Sequence, residues 1–405
     1  MDKKPRLGID LGSTDIKAAW MTPLGETRSI ETIPMPVNTE NSQITHPPDL
    51  LLKRIRSIPD RYRFTGDWEA AIASQRSSFI LWEAETGKPV MDVISWRDRR
   101  GEQWIDELSE NQFDTIRSIT GLRPEAGYSL SKLAWILERK DGLREQAENN
   151  EIRYGSLDSW LVWHATSGEE WFMEPTQASR TLLFDPRENN WSDELLKEFD
   201  IPRNLLPPIQ NEVDSPIPAE EVWPNGHIVG LIGDQPAATI GGQPPSYSKT
   251  RVTLGTGGFV ASPCERDQCP PGLTLTFTPS PNERIYQSEG VVLSAGRAID
   301  WFKKVIGINL QTIEAWASAP WPEELPLWCP ALNGVGAPFW SNRAASLREF
   351  SEETSARELA QGLVVSILFR IQDILDELPI DDVRIILDGG LTRMQALPDI
   401  AASIW

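Results

Sequence analysis

Apolar and polar positions alternate over short distances at the start of the chain. Leu7-Gly8-Ile9-Asp10 reads as a strand, Leu11-Gly12-Ser13-Thr14 as a tight turn and Ile16 to Met21 as a second strand, with Pro23-Leu24-Gly25-Glu26 closing a hairpin. The pattern returns much later. Arg251-Val252-Thr253-Leu254 leads through Gly255-Thr256-Gly257-Gly258 into Phe259-Val260-Ala261, so the chain carries two Leu-Gly-(Ser/Thr) hairpins. One hairpin in each half predicts a duplicated architecture whose halves face each other across a cleft.

Between the hairpins, strand patterns from Ala70 to Ser74, Phe79 to Trp82 and Ile228 to Ile232 are interspersed with helical spacing from Arg99 to Ser109, Lys132 to Arg139 and Leu157 to Ala165. This is an α/β pattern. The breaker-rich run Gly241-Gly242-Gln243-Pro244-Pro245-Ser246-Tyr247-Ser248 is the expected boundary, giving domains at 1–245 and 246–405. The second part offers a segment from Glu289 to Ile306, a long helix from Ser355 to Leu378 and a strand from Val383 to Leu387. That strand ends in Asp388-Gly389-Gly390 and is followed by a short helical stretch up to Trp405.

At 405 residues the chain exceeds what one core serves, and two domains of roughly two hundred residues each are expected. No run approaches the roughly eighteen apolar residues of a membrane span, and the basic N-terminus has no apolar signal region, so the expectation is a cytoplasmic protein. A net charge of -20 repels nucleic acid and anionic membranes, which leaves neither as an expected partner. A phosphate ligand must then be held locally, by backbone amides and a divalent cation. Three cysteines and three histidines form no disulfide framework and no zinc pattern, and most of the seventeen tryptophans must serve packing.

A Gly-Ser-Thr turn between strands points amides and hydroxyls at one spot, which suits a phosphate oxygen, and Asp10 at the strand end suits a hydrated Mg²⁺. A plain hairpin turn explains the same residues. In Gly233-Asp234-Gln235-Pro236 the carboxylate suits a general base for in-line attack on a terminal phosphate, and equally a helix N-cap.

Nine motifs in register carry a resemblance: Asp10-Leu11-Gly12-Ser13-Thr14, Ser74-Gln75-Arg76, Ile94 to Arg100, Asp158-Ser159-Trp160-Leu161, Ala178-Ser179-Arg180-Thr181, Gly233-Asp234-Gln235, Gly255-Thr256-Gly257, Gly336 to Trp340 and Asp388-Gly389-Gly390. Together they resemble the FGGY family of carbohydrate kinases. The resemblance implies a duplicated ribonuclease-H-like (actin-like ATPase) fold and MgATP-dependent phosphorylation of a small sugar or polyol. It also implies a homodimer, since family members are often dimers. By position, Asp234 resembles the catalytic base and Asp10 the Mg²⁺ organiser. Gly12, Ser13, Thr14, Lys17, Gly255, Thr256 and Gly257 resemble the ATP phosphate loops, and Gly389 and Gly390 the glycines beside adenosine.

Gln75, Arg76, Trp96, Asp234, Gln235 and Phe259 stand where glycerol kinase has glycerol-contacting or adjoining residues, with core packing the other reading of Trp96. Ser77 and Gly127 replace the carboxylate and tyrosine of that enzyme. The run from Gly127 to Trp135, and Asp98, are similar to xylulokinases and other sugar-using members. A pentulose such as xylulose or ribulose is therefore the first expectation for the acceptor, and glycerol the second. In the second half Ser341, Ala345, Ser346 and Val365 depart from the family pattern, and relatives continue past Trp405 with a strand and a helix. The resemblance then implies a shortened nucleotide domain and a weakened hold on ATP. A catalytically weak sugar-binding relative is the competing class, and an actin-like or chaperone-like ATPase a distant third.

Overall fold

The computed structural model describes residues 4–22, 26–62, 64, 66–211, 213–241, 249–279, 284–379 and 384–405. The turn residues 23–25, the expected boundary at 242–248 and Val383 lie outside the described residues. The chain divides into two compact units, Met1–Ala238 and Thr239–Trp405.

The first unit is built on strands β1 (Arg6–Leu11), β2 (Asp15–Met21), β3 (Thr27–Pro34), β4 (Trp68–Ser74) and β5 (Gly226–Gly233). With a short edge strand at Ile217–Pro218 they form one sheet, in the order edge-β5-β4-β1-β2-β3. The hairpin partners β1 and β2 are antiparallel, while β4 runs parallel to both β1 and β5. Alternation explains the placement: Leu7, Ile9 and Leu11 of β1 and Trp68, Ala70 and Ile72 of β4 all point into one core. Trp82, Trp160 and Trp223 join it, the Trp68 and Trp223 rings standing 5.6 Å apart. Helix α1 spans Ser129–Arg139, α2 (Leu157–Ala165) packs Leu157, Trp160 and Leu161 into the sheet's core, and α3 (Asp234–Gly241) leaves directly from β5.

The helix expected from Arg99 to Ser109 is shorter, Glu102–Asp106. Ser109 instead caps a further helix, Glu110–Thr120, whose Gln112 completes a capping box. The local cap signal at Ser109 starts a new helix where the apolar spacing had ended the expected one.

The second unit repeats the plan with β6 (Thr250–Leu254), β7 (Gly258–Pro263), β8 (Thr274–Pro279), β9 (Arg284–Val292) and β10 (Ile385–Asp388), in the order β8-β9-β7-β6-β10. Again a hairpin, β6–β7, has a parallel strand, β10, on the side of its first strand. The segment from Glu289 to Ile306 is two elements: its beginning completes β9, and α4 (Gly296–Ile306) follows. The long helix α5 (Ala356–Leu375) starts at a Ser355–Glu358 capping box and buries Leu363, Ile367, Leu368, Ile371 and Ile374. Among the described residues no helix is long and apolar enough to cross a membrane.

Candidate functional site

Three parallel strands deliver the first group of residues. Leu11, Ser74 and Gly233 stand abreast on β1, β4 and β5. Gly12 to Thr14, Gln75-Arg76 and Asp234 therefore leave the sheet together at its carboxyl edge, where open α/β sheets bind ligands. Arg76 Nε lies 3.5 Å from Asp234 Oδ1, the two side chains being 9% and 33% exposed. The same Oδ1 accepts the Gln235 N–H at 2.8 Å, so Asp234 is at once the first residue of α3 and a carboxylate open to solvent.

Burial, and next the charge of Asp234, hold the Asp10 carboxyl above the usual carboxylate range, with Lys17 pulling the other way. The turn beside it is narrow: the Gly12 N–H donates to Asp15 O at 3.1 Å. A Cβ on Gly12 would stand 2.9 Å from that oxygen, too close to fit without a shift, and at ordinary contact distance, 3.9 and 4.0 Å, from the Asp10 carboxylate. Thr14 and Lys17 are exposed, and Ser13 is half-buried. Among the described residues no group of three or more His, Cys, Asp or Glu side chains gathers as metal ligands.

On the acceptor side the tryptophan question has a plain answer. Trp96 is 43% exposed, not core. Gln75 and Asp98, both expected at the acceptor, are buried. Gln75 is buried and spends its amide on the protein: Nε2 donates to Gly12 O and His46 Nε2, each at 3.3 Å, and Oε1 accepts from Ser78 Oγ. Asp98 is fully buried, gripped by the Arg100 guanidinium at 2.8 and 2.9 Å and by the Ile44 N–H at 2.8 Å. Both side chains are thus turned onto protein partners.

A buried polar network, of which the sequence reading did not single out Glu174, Thr176 and Gln177, adjoins the candidate base. Thr176 accepts the Gly233 N–H and gives its own hydroxyl and N–H to Glu174 Oε2. Burial pushes the Glu174 carboxyl up to about 8. Alongside, Ser74 donates to Asp158 Oδ1 at 3.0 Å and accepts from Gln177 at 2.7 Å. The available signal was Glu174-Pro175-Thr176, an acid before proline at a helix start.

In the second unit, Gly255 to Gly257 make the turn between β6 and β7, with Thr256 exposed. Gly296 and Arg297, at the start of α4, donate to Gly255 O and Thr256 O at 2.9 and 3.0 Å, pinning the turn from one side. Phe259 belongs to this unit, on β7 opposite Thr253 and Val291. Gly389 makes a close approach within its own unit. At φ 103 its missing Cβ would fall 2.4 Å from Leu254 O, so the close approach it permits is to β6. Gly390 is exposed, with nothing within 4 Å of its Cβ position.

Residues 6–215 match the FGGY family of carbohydrate kinases, N-terminal domain, and residues 251–405 match its C-terminal domain. A glycerol kinase of Paraburkholderia phytofirmans is 33% identical over 349 residues, which are 82% of this chain and 69% of that protein. The glycerol kinase of Plasmodium falciparum, solved with ADP, superposes with a TM-score of 0.88 at 23% identity over 99% of this chain and 84% of that one. A xylulose kinase from Lactobacillus acidophilus gives the same TM-score at 20% identity and the same coverage, so the fold alone does not separate the two acceptors. With both halves matched and the duplicated strand order in place, the chain belongs to the FGGY family of carbohydrate kinases, ATP-dependent phosphotransferases that act on sugars and polyols.

Proposed function

We propose that this kinase transfers the terminal phosphoryl group of ATP to a hydroxyl of a small polyol, glycerol before pentuloses, with Asp234 as general base. The Arg76–Asp234 pair carries the reading: a partly exposed carboxylate beside a nearly buried guanidinium at the carboxyl edge of the sheet. Arg76 would orient the acceptor hydroxyl and Asp234 accept its proton as the oxygen attacks phosphorus. The new O–P bond forms while the bridge to ADP breaks, and ADP leaves with that electron pair. Trp96 offers an exposed apolar face to the carbon skeleton, and Gln235 a further polar contact.

The 33% identical glycerol kinase supports glycerol over the pentulose that the sequence motifs put first. One observation favours a longer acceptor as the second reading. Ser77 turns its hydroxyl onto Arg180 O at 2.9 Å, and Gly127 has no side chain, at the two positions where glycerol kinase carries a carboxylate and a tyrosine.

Mg²⁺ fits at Asp10, whose raised carboxyl and repulsion from Asp234 a divalent cation relieves. Bound there, it supplies charge neutralisation for the phosphates. Gly12, Ser13, Thr14 and Lys17 in the first unit, and Gly255, Thr256 and Gly257 in the second, are the proposed phosphate donors. The exposed Gly390 is the proposed adenosine neighbour.

A coupled ADP-release assay across glycerol, xylulose and ribulose tests the reading. The expected order places glycerol first in kcat/KM; a pentulose ahead of it reverses the acceptor assignment. Polyol binding without ADP release would leave a sugar-binding relative in place of an active kinase.

A further inference from the structure

Lys132 lies on α1 with its side chain wholly inside the first unit. Its ammonium donates to Gly127 O at 2.6 Å, to Ser95 O at 3.2 Å and to Ser77 O at 3.4 Å. An ammonium has three N–H groups, and here each has a carbonyl acceptor. The carbonyls come from three separate backbone segments, and each segment adjoins the proposed acceptor site. Ser77 follows Arg76, Ser95 precedes Trp96, and a Cβ on Gly127 would touch Trp96 O at 3.6 Å. Ser77 itself holds a left-handed φ of 63°, which a residue with a side chain adopts only when its surroundings impose it. Ser129 Oγ adds a bond to Ser77 O at 3.3 Å.

Packing does not account for this arrangement. Lysines are almost never fully buried unless paired, and an apolar side chain of similar volume commonly stabilises a buried position at least as well. Burial drives Lys132 down to about 7; Asp98 opposes that shift, and Arg100 and Arg99 add to it. What the ammonium supplies that methionine would not is a common donor for three loops.

We propose that Lys132 is a positioning residue for the acceptor: it gathers the segments bearing Arg76, Trp96 and Gly127 at one point and thereby sets affinity for the polyol. The inference rests on the acceptor lying against Arg76 and Trp96, as proposed above. Loss of the proton leaves two N–H groups for three carbonyls, so one segment is released whenever Lys132 is neutral.

The test is steady-state kinetics of the full chain with glycerol and, in parallel, D-xylulose, comparing the wild type with Lys132→Met and Trp96→Ala. For Lys132→Met the acceptor KM should rise about tenfold to a hundredfold, with kcat and the ATP KM within about threefold. A folded Lys132→Met variant with the wild-type acceptor KM, while Trp96→Ala weakens it, overturns the role of Lys132 alone. Wild-type acceptor KM in Trp96→Ala, or turnover of neither acceptor by the wild type, overturns the acceptor position and this inference with it. Should Lys132→Met fail to fold, Lys132→Gln decides: its shorter amide, with two N–H groups, should raise the acceptor KM about tenfold while ADP affinity holds. A folded Lys132→Gln variant with the wild-type acceptor KM would overturn the proposal.

Discussion

The Gly233 N–H donates to Thr176 Oγ1 across 2.7 Å, which fixes the backbone immediately before the candidate base Asp234. A Cβ on Gly233 would collide with Arg76 Cδ at 2.7 Å, so strand β5, the threonine and the arginine leave one path for the chain. Thr176→Val keeps the shape and removes the acceptor. It should cost about 1–3 kcal/mol of stability, since a buried N–H is left unpaired, and should lower kcat more than it raises either KM. Chemical denaturation together with kinetics checks both; a variant with unchanged kcat would show that the contact serves the fold alone.

Asp234→Asn keeps the helix-capping oxygen and loses the proton acceptor. Turnover should drop by about a hundredfold to ten-thousandfold with acceptor binding retained by calorimetry. Full turnover in the folded variant removes Asp234 from the chemistry.

Asp98→Asn separates structure from recognition. Because Asp98 holds Arg100 and the Ile44 N–H in a buried cluster, its neutralisation should cost about 3–5 kcal/mol and lower Tm clearly. At about pH 5, where Lys132 keeps its proton, the acceptor KM of the surviving folded protein should stay close to the wild type. A large rise in that KM without loss of stability would restore Asp98 as a sugar contact.

Glu174 predicts a pH dependence of stability. Its folded-state carboxyl keeps its proton up to about 8, against 4.5 in the unfolded chain. The folded state therefore binds more protons in that window, and the contribution is complete below 4.5 and lost as pH rises to about 8. Glu125, raised by burial to about 7, tilts stability the same way, whereas Lys132, lowered from 10.5 to about 7, acts only above neutrality. Glu174→Gln should therefore flatten the decline of Tm between about pH 5 and 7 without abolishing it. Parallel slopes for variant and wild type would refute the assignment.

The two hairpins, the long helix from Ser355 and the base candidate were legible because each rests on local chemistry: turn glycines, a capping box, a strand end. Gln75, Asp98 and Gly389 were legible as motif members but not in their direction, which is decided by partners distant in sequence. Gln75 faces Gly12, Asp98 faces Ile44, and Gly389 faces Leu254. Lys132 was hidden for a different reason. A lysine amid Leu130, Leu133 and Ile136 reads as the wet edge of an amphipathic helix until three backbone carbonyls are seen around it.

The alignment of Leu11, Ser74 and Gly233 across three strands also bears on how the first unit matures. Asp10 comes from the beginning of that unit and Asp234 from its end, and β5 is held between β4 and a two-residue edge strand. A nascent chain therefore possesses the proposed phosphate turn and the arginine long before it possesses the candidate base, and it gains Asp234 only when the last major strand docks. Ligand that engages both edges of this row binds the finished sheet and not its precursors. It should act as a stabiliser of late folding, slowing the undocking of β5 in proportion to its occupancy.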